Sequence, residues 1–331
     1  MSPTRPIIIT GPDRSGTTLL YALLASHPRI SMVRRTNLWR WFFGRYGDLS
    51  QPANLNACLD TMLRYPRLSA LAPDMARLRS DFLAGESSYG RLFDLFHAQH
   101  AERRGRARWG DKSLHTEYYA DRIIAELPEV RMLHLVRDPR DRYASILRRY
   151  QDRDKGIGAA MGRWLASIRQ GRRNLTSYGA NYRLVRYESL AQDPEASIRG
   201  ICEFLEEEYD PTMLTLGGVS DHDDWSGNSS FEQFDPGVIS TRSIGRYRSV
   251  LAPSDVAFIQ ACAGEPMREH AYRLEALQMS MLDRGRFFAV DLPLKAARLL
   301  GWLAMDHRSR AAGAGVPSHR LTTSATAASA P

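Results

Sequence analysis

Gly11-Pro12-Asp13-Arg14-Ser15-Gly16-Thr17-Thr18 is the stretch on which the reading of this chain turns. The β-branched run at residues 6–10 precedes it, and Leu19, Leu20, Leu23 and Leu24 follow at helical spacing. The pattern predicts a strand, a glycine-bounded loop and a helix opening near Thr17. Gly11 and Gly16 have the spacing of a phosphate loop, in which backbone N–H groups and the helix dipole hold an anion. The lysine expected after the second glycine is replaced by Thr17, and Arg14 supplies positive charge from inside the loop. A generic glycine turn explains the spacing alone, whereas the strand-loop-helix setting favours an anion site.

Working outward, residues 29–33, 130–136 and 183–186 read as further strands, the second being the best buried one in the chain. Helical spacing marks residues 54–64, 74–83, 89–104, 116–127, 139–150 and 159–178. Asp193-Pro194 opens another helix, running to Glu207, with Asp as N-cap and Pro at its first position. A final helix over 253–263 closes the core. This alternation predicts an α/β fold with a central, mainly parallel sheet and right-handed crossovers. One domain is expected over residues 1–310, followed by a disordered Ala/Ser/Thr-rich tail over 311–331. The polar, Gly-rich stretch 220–237 reads as a mobile loop able to act as a lid.

Composition narrows the class. The 331 residues are 43% hydrophobic and 25% charged, which suits a folded globular chain. The three cysteines, Cys58, Cys202 and Cys262, are far apart and form no CxxC pair, against a disulfide scaffold or a thiolate metal site. No apolar run reaches the ~20 residues of a membrane span. The nearest, at residues 287–305, is broken by Asp291, Pro293 and Lys295, leaving only membrane-surface association open. A soluble, cytoplasmic protein is expected. The net charge of +8 suits an anionic ligand. The arginines are spread along the chain and not gathered into a stripe, which speaks against nucleic acid. Lysine is rare: Lys112, Lys155 and Lys295 are the three among 45 basic residues.

Two further segments carry chemistry. Val136-Arg137-Asp138-Pro139-Arg140-Asp141 follows the buried strand. Asp138, Pro139 and Asp141 fit an N-cap, a first helical position and a favourable first turn. Arg137 leaves the carboxyl end of the strand, where α/β sheets bind ligands, and Ser145 lies two helical turns on. The other segment, Arg108-Trp109-Gly110-Asp111-Lys112-Ser113-Leu114-His115, holds the one lysine in the first 150 residues.

Together these segments resemble the sulfotransferase family that uses 3′-phosphoadenosine-5′-phosphosulfate (PAPS) as sulfuryl donor. Arg14, Ser15, Gly16, Thr17 and Thr18 look like its loop for the 5′-phosphosulfate, and Arg137 with Ser145 like its 3′-phosphate site. Residues 185–190 around Tyr187 resemble its tyrosine-glutamate turn. Residues 241–248, with Arg242 and Gly245, resemble its glycine-containing basic segment. The resemblance covers about residues 6–275. It implies a P-loop NTPase-like three-layer sandwich, a PAPS co-substrate leaving as 3′-phosphoadenosine-5′-phosphate (PAP), and no metal. Lys112 matches the family's lysine after the tryptophan. By analogy with phosphoryl transfer, Arg14 and Lys112 stabilise the departing phosphate oxygen during in-line displacement.

The general base departs from the pattern. Several relatives carry a glutamate shortly after the second strand, but this chain reads Val33-Arg34-Arg35-Thr36-Asn37. Cytosolic relatives use a histidine close behind the lysine, which makes His115 the first candidate, with Asp111 and Glu86 behind it. The aromatic stretch 39–46 reads as core packing or as an acceptor wall. A hydroxyl or amine acceptor is expected, from carbohydrate, lipid, peptide or secondary metabolite. Two rivals remain at this point. A P-loop small-molecule kinase requires the missing lysine and a strand-end aspartate. A catalytically silent adenine-nucleotide scaffold is favoured only by the missing glutamate.

Overall fold

The computed structural model describes residues 5–149, 156–219, 239–312 and 316–322. Strand β1 (Ile7–Thr10) leads into helix α1 (Thr17–Ala25), and β2 (Ile30–Arg34) follows. Helices α2 (Leu38–Trp41), α3 (Pro52–Arg64), α4 (Pro66–Ser69), α5 (Met75–Leu83) and α6 (Tyr89–Arg103) fill the long crossover to β3 (Arg108–Lys112). Next come α7 (Ala120–Glu126), β4 (Arg131–Val136), α8 (Pro139–Arg149), α9 (Ile157–Tyr178) and β5 (Tyr182–Arg186). The chain closes with α10 (Tyr187–Gln192), α11 (Pro194–Leu205), α12 (Tyr247–Val250), α13 (Pro253–Glu269), α14 (Met281–Arg286) and α15 (Leu292–Ala312).

The five strands form one sheet in the order β2-β3-β1-β4-β5, and every pairing is parallel. A parallel sheet is covered on both faces, and β1 is fully buried, while β3 carries the buried Arg108, Asp111 and Lys112. Successive side chains alternate between faces. Ile7 and Ile9 accordingly pack with Leu20, Leu24 and Ile198 under α1 and α11. Ile8 points the other way, into a cluster with Trp109, Met132, Leu59 and Phe93 from the crossover helices. Val136, Trp164 and Phe258 build a third cluster among α8, α9 and α13. The result is the expected P-loop NTPase-like α/β sandwich, with all strand carboxyl ends on one edge.

Several helices start at a side-chain cap. Asp74 accepts from the Arg77 N–H, Ser88 from Arg91 and Asp193 from Ala196. The three cysteines are free, Cys58 and Cys202 being buried. The aromatic stretch is largely core: Trp39 and Phe42 are buried, with Trp39 edge-on to Phe93.

The expected end of the core is corrected. Residues 253–263 are not the last helix, because α13 runs on past Pro266 and α14 and α15 follow. Gly158 and Gly162 of α9 explain the addition. A Cβ at Gly158 would meet the Leu299 nitrogen at 2.6 Å, and one at Gly162 would strike the Trp302 ring. The two glycines thus form a groove that admits the α15 backbone. Residues 316–322 also pack back, with Leu321 against the first cluster and the Thr322 N–H donating to the Arg64 carbonyl at 2.9 Å. The loop 220–237 and the rest of the tail lie outside the described residues. Among the described residues no helix is long and apolar enough to cross a membrane.

Candidate active site

The loop between β1 and α1 is shaped by glycine. Gly11 has φ 129° and Gly16 φ 91°, values that side chains rarely adopt. A Cβ at Gly11 would lie 2.6 Å from the Leu135 carbonyl oxygen, and one at Gly16 would enter the Tyr187 ring. Gly16 then starts the helix, its carbonyl accepting the N–H groups of Leu19 at 3.0 Å and Leu20 at 3.3 Å. Ser15 is fully buried, and its Oγ has no hydrogen-bond partner among the described residues. Such an orphan costs about 1–3 kcal/mol unless something bonds to it. An anion seated in the loop would be that partner. Arg14 sits in the left-handed region at φ 65°. For a bulky residue this costs roughly 1–2 kcal/mol, and such strain gathers at functional sites.

The exit of β4 closes on this loop. Arg137 lies over the Tyr187 ring at 4.4 Å, and donates to the Arg14 carbonyl at 3.1 Å and the Ser243 carbonyl at 2.8 Å. Its Nε is buried and finds no partner among the described residues. Arg14 Nε donates to Ser145 Oγ at 3.0 Å, while Tyr187 and Ser243 share a hydroxyl hydrogen bond of 2.6 Å. Tyr187 therefore supports the loop through its ring and the segment 241–248 through its hydroxyl. Gly245 N–H and Tyr247 N–H both donate to the Asp141 carboxylate, at 2.7 and 2.9 Å. Arg242 is exposed on the same segment. Arg142 fixes the loop tip, donating to the Asp13 carbonyl at 2.8 Å and to its carboxylate at 2.5 Å. Asp138 is taken up by Arg140, with contacts at 2.6 and 3.0 Å.

Lys112 ends β3 and joins the same place, with Nζ 3.2 Å from Thr18 Oγ1. Only 4% of it is exposed. Burial first, then the Arg35 and Arg34 guanidiniums and Arg14, push its ammonium down to about 7. Asp111, its neighbour on the strand, faces the opposite side. There its carboxylate accepts from Thr36 Oγ1 at 2.7 Å and Ser113 Oγ at 2.8 Å, and burial raises its pKa to about 6.

His115 is half-buried just past β3, at φ 65°. Burial lowers its pKa, opposed by the carboxylates of Glu117 and Asp13. Glu117 pins this turn to the core by accepting from Thr10 Oγ1 at 2.5 Å and Ser167 Oγ at 2.6 Å. Glu86 sits apart, exposed on the turn between α5 and α6.

Sequence reasoning passed over several residues that the fold brings in. Asp141 had been read as a first-turn charge, and its partners lie about a hundred residues on. Arg142 has the same character. Arg34 and Arg35 stood out only as the place where a glutamate was missing. No local signal marks Tyr21, whose ring lies 5.9 Å from Lys112 Nζ and 5.8 Å from the Arg34 guanidinium.

Comparison with known proteins bears on the same region. A family model described as the Sulfotransferase family matches residues 6–211, more than half the chain and all five strands. No curated protein matches at a significant level. The chain is similar to the sulfotransferase domain of the olefin synthase of Synechococcus PCC 7002. That match has a TM-score of 0.57 and 22% identity, covering 83% of this chain and 98% of that one. The sulfotransferase domain from the curacin biosynthetic pathway gives a TM-score of 0.55 and 19% identity, over 82% of this chain and 99% of that one. At these identities the two structures speak for the fold. The match to the family model, spanning the loop 11–18 and the ends of β3 and β4, places the chain in the sulfotransferase family.

Proposed function

We propose that the protein transfers a sulfuryl group from PAPS to a hydroxyl or amine acceptor by in-line displacement. One observation carries the reading. Three segments far apart in sequence, bearing Arg14, Lys112 and Ser145, meet around the loop 11–18 through contacts of 3.2 Å and 3.0 Å. The buried Ser15 Oγ and Arg137 Nε, which find no partner among the described residues, add hydrogen-bond donors suited to a ligand with phosphate groups at two places.

When bound, the donor supplies the sulfuryl group and a phosphate leaving group. The loop amides and Ser15 hold its 5′ end, while Arg137 and Ser145 hold the 3′-phosphate, supported by Tyr187 and the segment with Arg242 and Gly245. Arg14 and Lys112 set positive charge where the leaving oxygen becomes negative, in a buried place where such charge acts strongly. His115, kept neutral near pH 7 by burial, accepts the acceptor's proton.

Calorimetric titration with PAP, beside ATP-Mg²⁺, tests the reading. Micromolar PAP binding that weakens in Arg137→Ala and Ser145→Ala supports it, and labelled PAPS then allows an acceptor screen. ATP-Mg²⁺ binding with none for PAP would overturn it.

A further inference from the structure

Helix α15 is apolar on two faces, and the fold uses one of them. The inward face packs on α9, where Leu299 is buried and Trp302 fills the space beside Gly162. Lys295, one of the residues that interrupt the apolar run in sequence, is drawn to α13, its Nζ 2.7 Å from the Asp255 carboxylate. The helical period then leaves Pro293, Leu294, Ala297, Leu300, Gly301 and Met305 on the outside, all of them exposed. Across residues 292–305 the one exposed charge is Arg298.

Apolar exposure is concentrated here. Among the described residues eleven large hydrophobics are exposed, and seven of them fall between Met281 and Met305. Met281 is 92% exposed and Leu282 83%, on a helix, α14, that has no buried residue. Scattered exposed hydrophobics are ordinary, whereas a set gathered on neighbouring turns marks a surface that meets something.

The charges favour one occupant. From 281 to 305 the exposed cations are Arg284, Arg286 and Arg298. The exposed carboxylate, Asp283, accepts from Ser280 Oγ at 2.7 Å in the cap of α14. A second copy seated here by two-fold symmetry would bring the same arginines to the same patch. An apolar face with basic flanks is complementary instead to a bilayer bearing negative headgroups, whose acyl boundary takes the leucines while its surface takes the arginines. Because α9 holds the other side of α15, the helix meets such a bilayer lengthwise.

We propose that α14 and α15 dock the protein peripherally on an anionic lipid surface, with α15 in the plane of the interface and its outer face in the acyl boundary. The docked helix and the candidate site share the first turns of α9. Ala160, between the two groove glycines, accepts at 2.8 Å from Arg142, the residue that holds the tip of the loop 11–18. The inference does not depend on the sulfuryl-transfer reading.

The test is cosedimentation of the full chain with vesicles of phosphatidylcholine alone and of phosphatidylcholine mixed with phosphatidylserine. The wild type is expected to bind the mixed vesicles more tightly, and to lose that preference as salt is raised. Leu294→Glu/Leu300→Glu, two exposed changes, should weaken binding about tenfold or more while the thermal midpoint holds. Arg284→Gln/Arg286→Gln should weaken binding to the mixed vesicles alone, again about tenfold. That pair lies on a helix without buried residues, so it keeps the test decisive should the glutamates unfold the chain. A wild type that binds neither vesicle, or that binds both equally, overturns the proposal, as does undiminished binding in either variant. A dimer seen by sedimentation equilibrium, lost in Leu294→Glu/Leu300→Glu with no vesicle binding by the wild type, overturns it in favour of a second copy.

Discussion

Lys112 Nζ and Thr18 Oγ1 lie 3.2 Å apart, joining the end of β3 to the first turn of α1 across 94 residues of chain. Strand β1 lies directly beside β3, with Ile9 paired to Lys112, so the lysine reaches the loop 11–18 without any other strand intervening. That pairing is what brings its charge to the loop 11–18.

Lys112→Ala is therefore expected to lower kcat by on the order of 10²–10³, the loss typical of one preorganised charge-stabilising group. PAP affinity should fall far less, because the loop amides and Arg137 remain. Turnover with PAPS and calorimetry with PAP, measured on the same preparation, separate the two. An unchanged kcat would remove Lys112 from the mechanism.

The pH profile follows from the same residue. With its ammonium held near 7, Lys112 loses its charge as pH rises through neutrality, so kcat/KM should decline above about pH 7. His115, lowered from 6.5, becomes a base before that point and places the acid limb below 6.5. In Lys112→Arg the alkaline decline should vanish, since guanidinium stays charged. Persistence of that limb in the arginine variant would assign it to another group.

Asp141 ties the 241–248 segment to the site, and Asp141→Asn keeps only one oxygen for its two N–H donors. About 1–3 kcal/mol of stability should be lost in urea titrations. PAP binding should weaken as well, because Ser243 on that segment accepts from Arg137. Full PAP affinity in a destabilised variant would show that the segment is structural alone.

Acid should destabilise the free protein through His97. This ring is buried, stacked on Trp109 at 4.3 Å, with Nδ1 2.7 Å from the Phe93 carbonyl oxygen; burial lowers its pKa to about 4. Between pH 6.5 and 4 the unfolded chain binds more protons there than the folded one, so stability falls as pH drops through that window. The displacement corresponds to roughly 3 kcal/mol at full titration. Urea midpoints at pH 7.5 and 5 should differ more in wild type than in His97→Gln. Identical pH dependence in both would exclude His97 as the cause.

Much of the molecule was legible before folding was considered. The run 6–18 foretold β1, a glycine-bounded loop and α1, and the glycines stand where positive φ is required. The buried strand ending at Val136 foretold where Arg137 would emerge. These features are local, since a strand's side-chain period, a helix's capping residue and a glycine's φ are fixed within a few neighbours.

What the tertiary structure decided is every relation across the chain. The order β2-β3-β1-β4-β5 sets Lys112 beside Thr18, and puts Arg34 in register with Lys112. Asp141 gained its partners from residues 245 and 247, and α9 gained α15 through the groove at Gly158 and Gly162. The broken apolar pattern at 287–305 concealed that last helix, because Asp291, Pro293 and Lys295 interrupt the run, while a glycine groove elsewhere gives it a place to pack. Strand order and helix docking depend on surfaces that do not exist until the chain folds, so no window of sequence contains them.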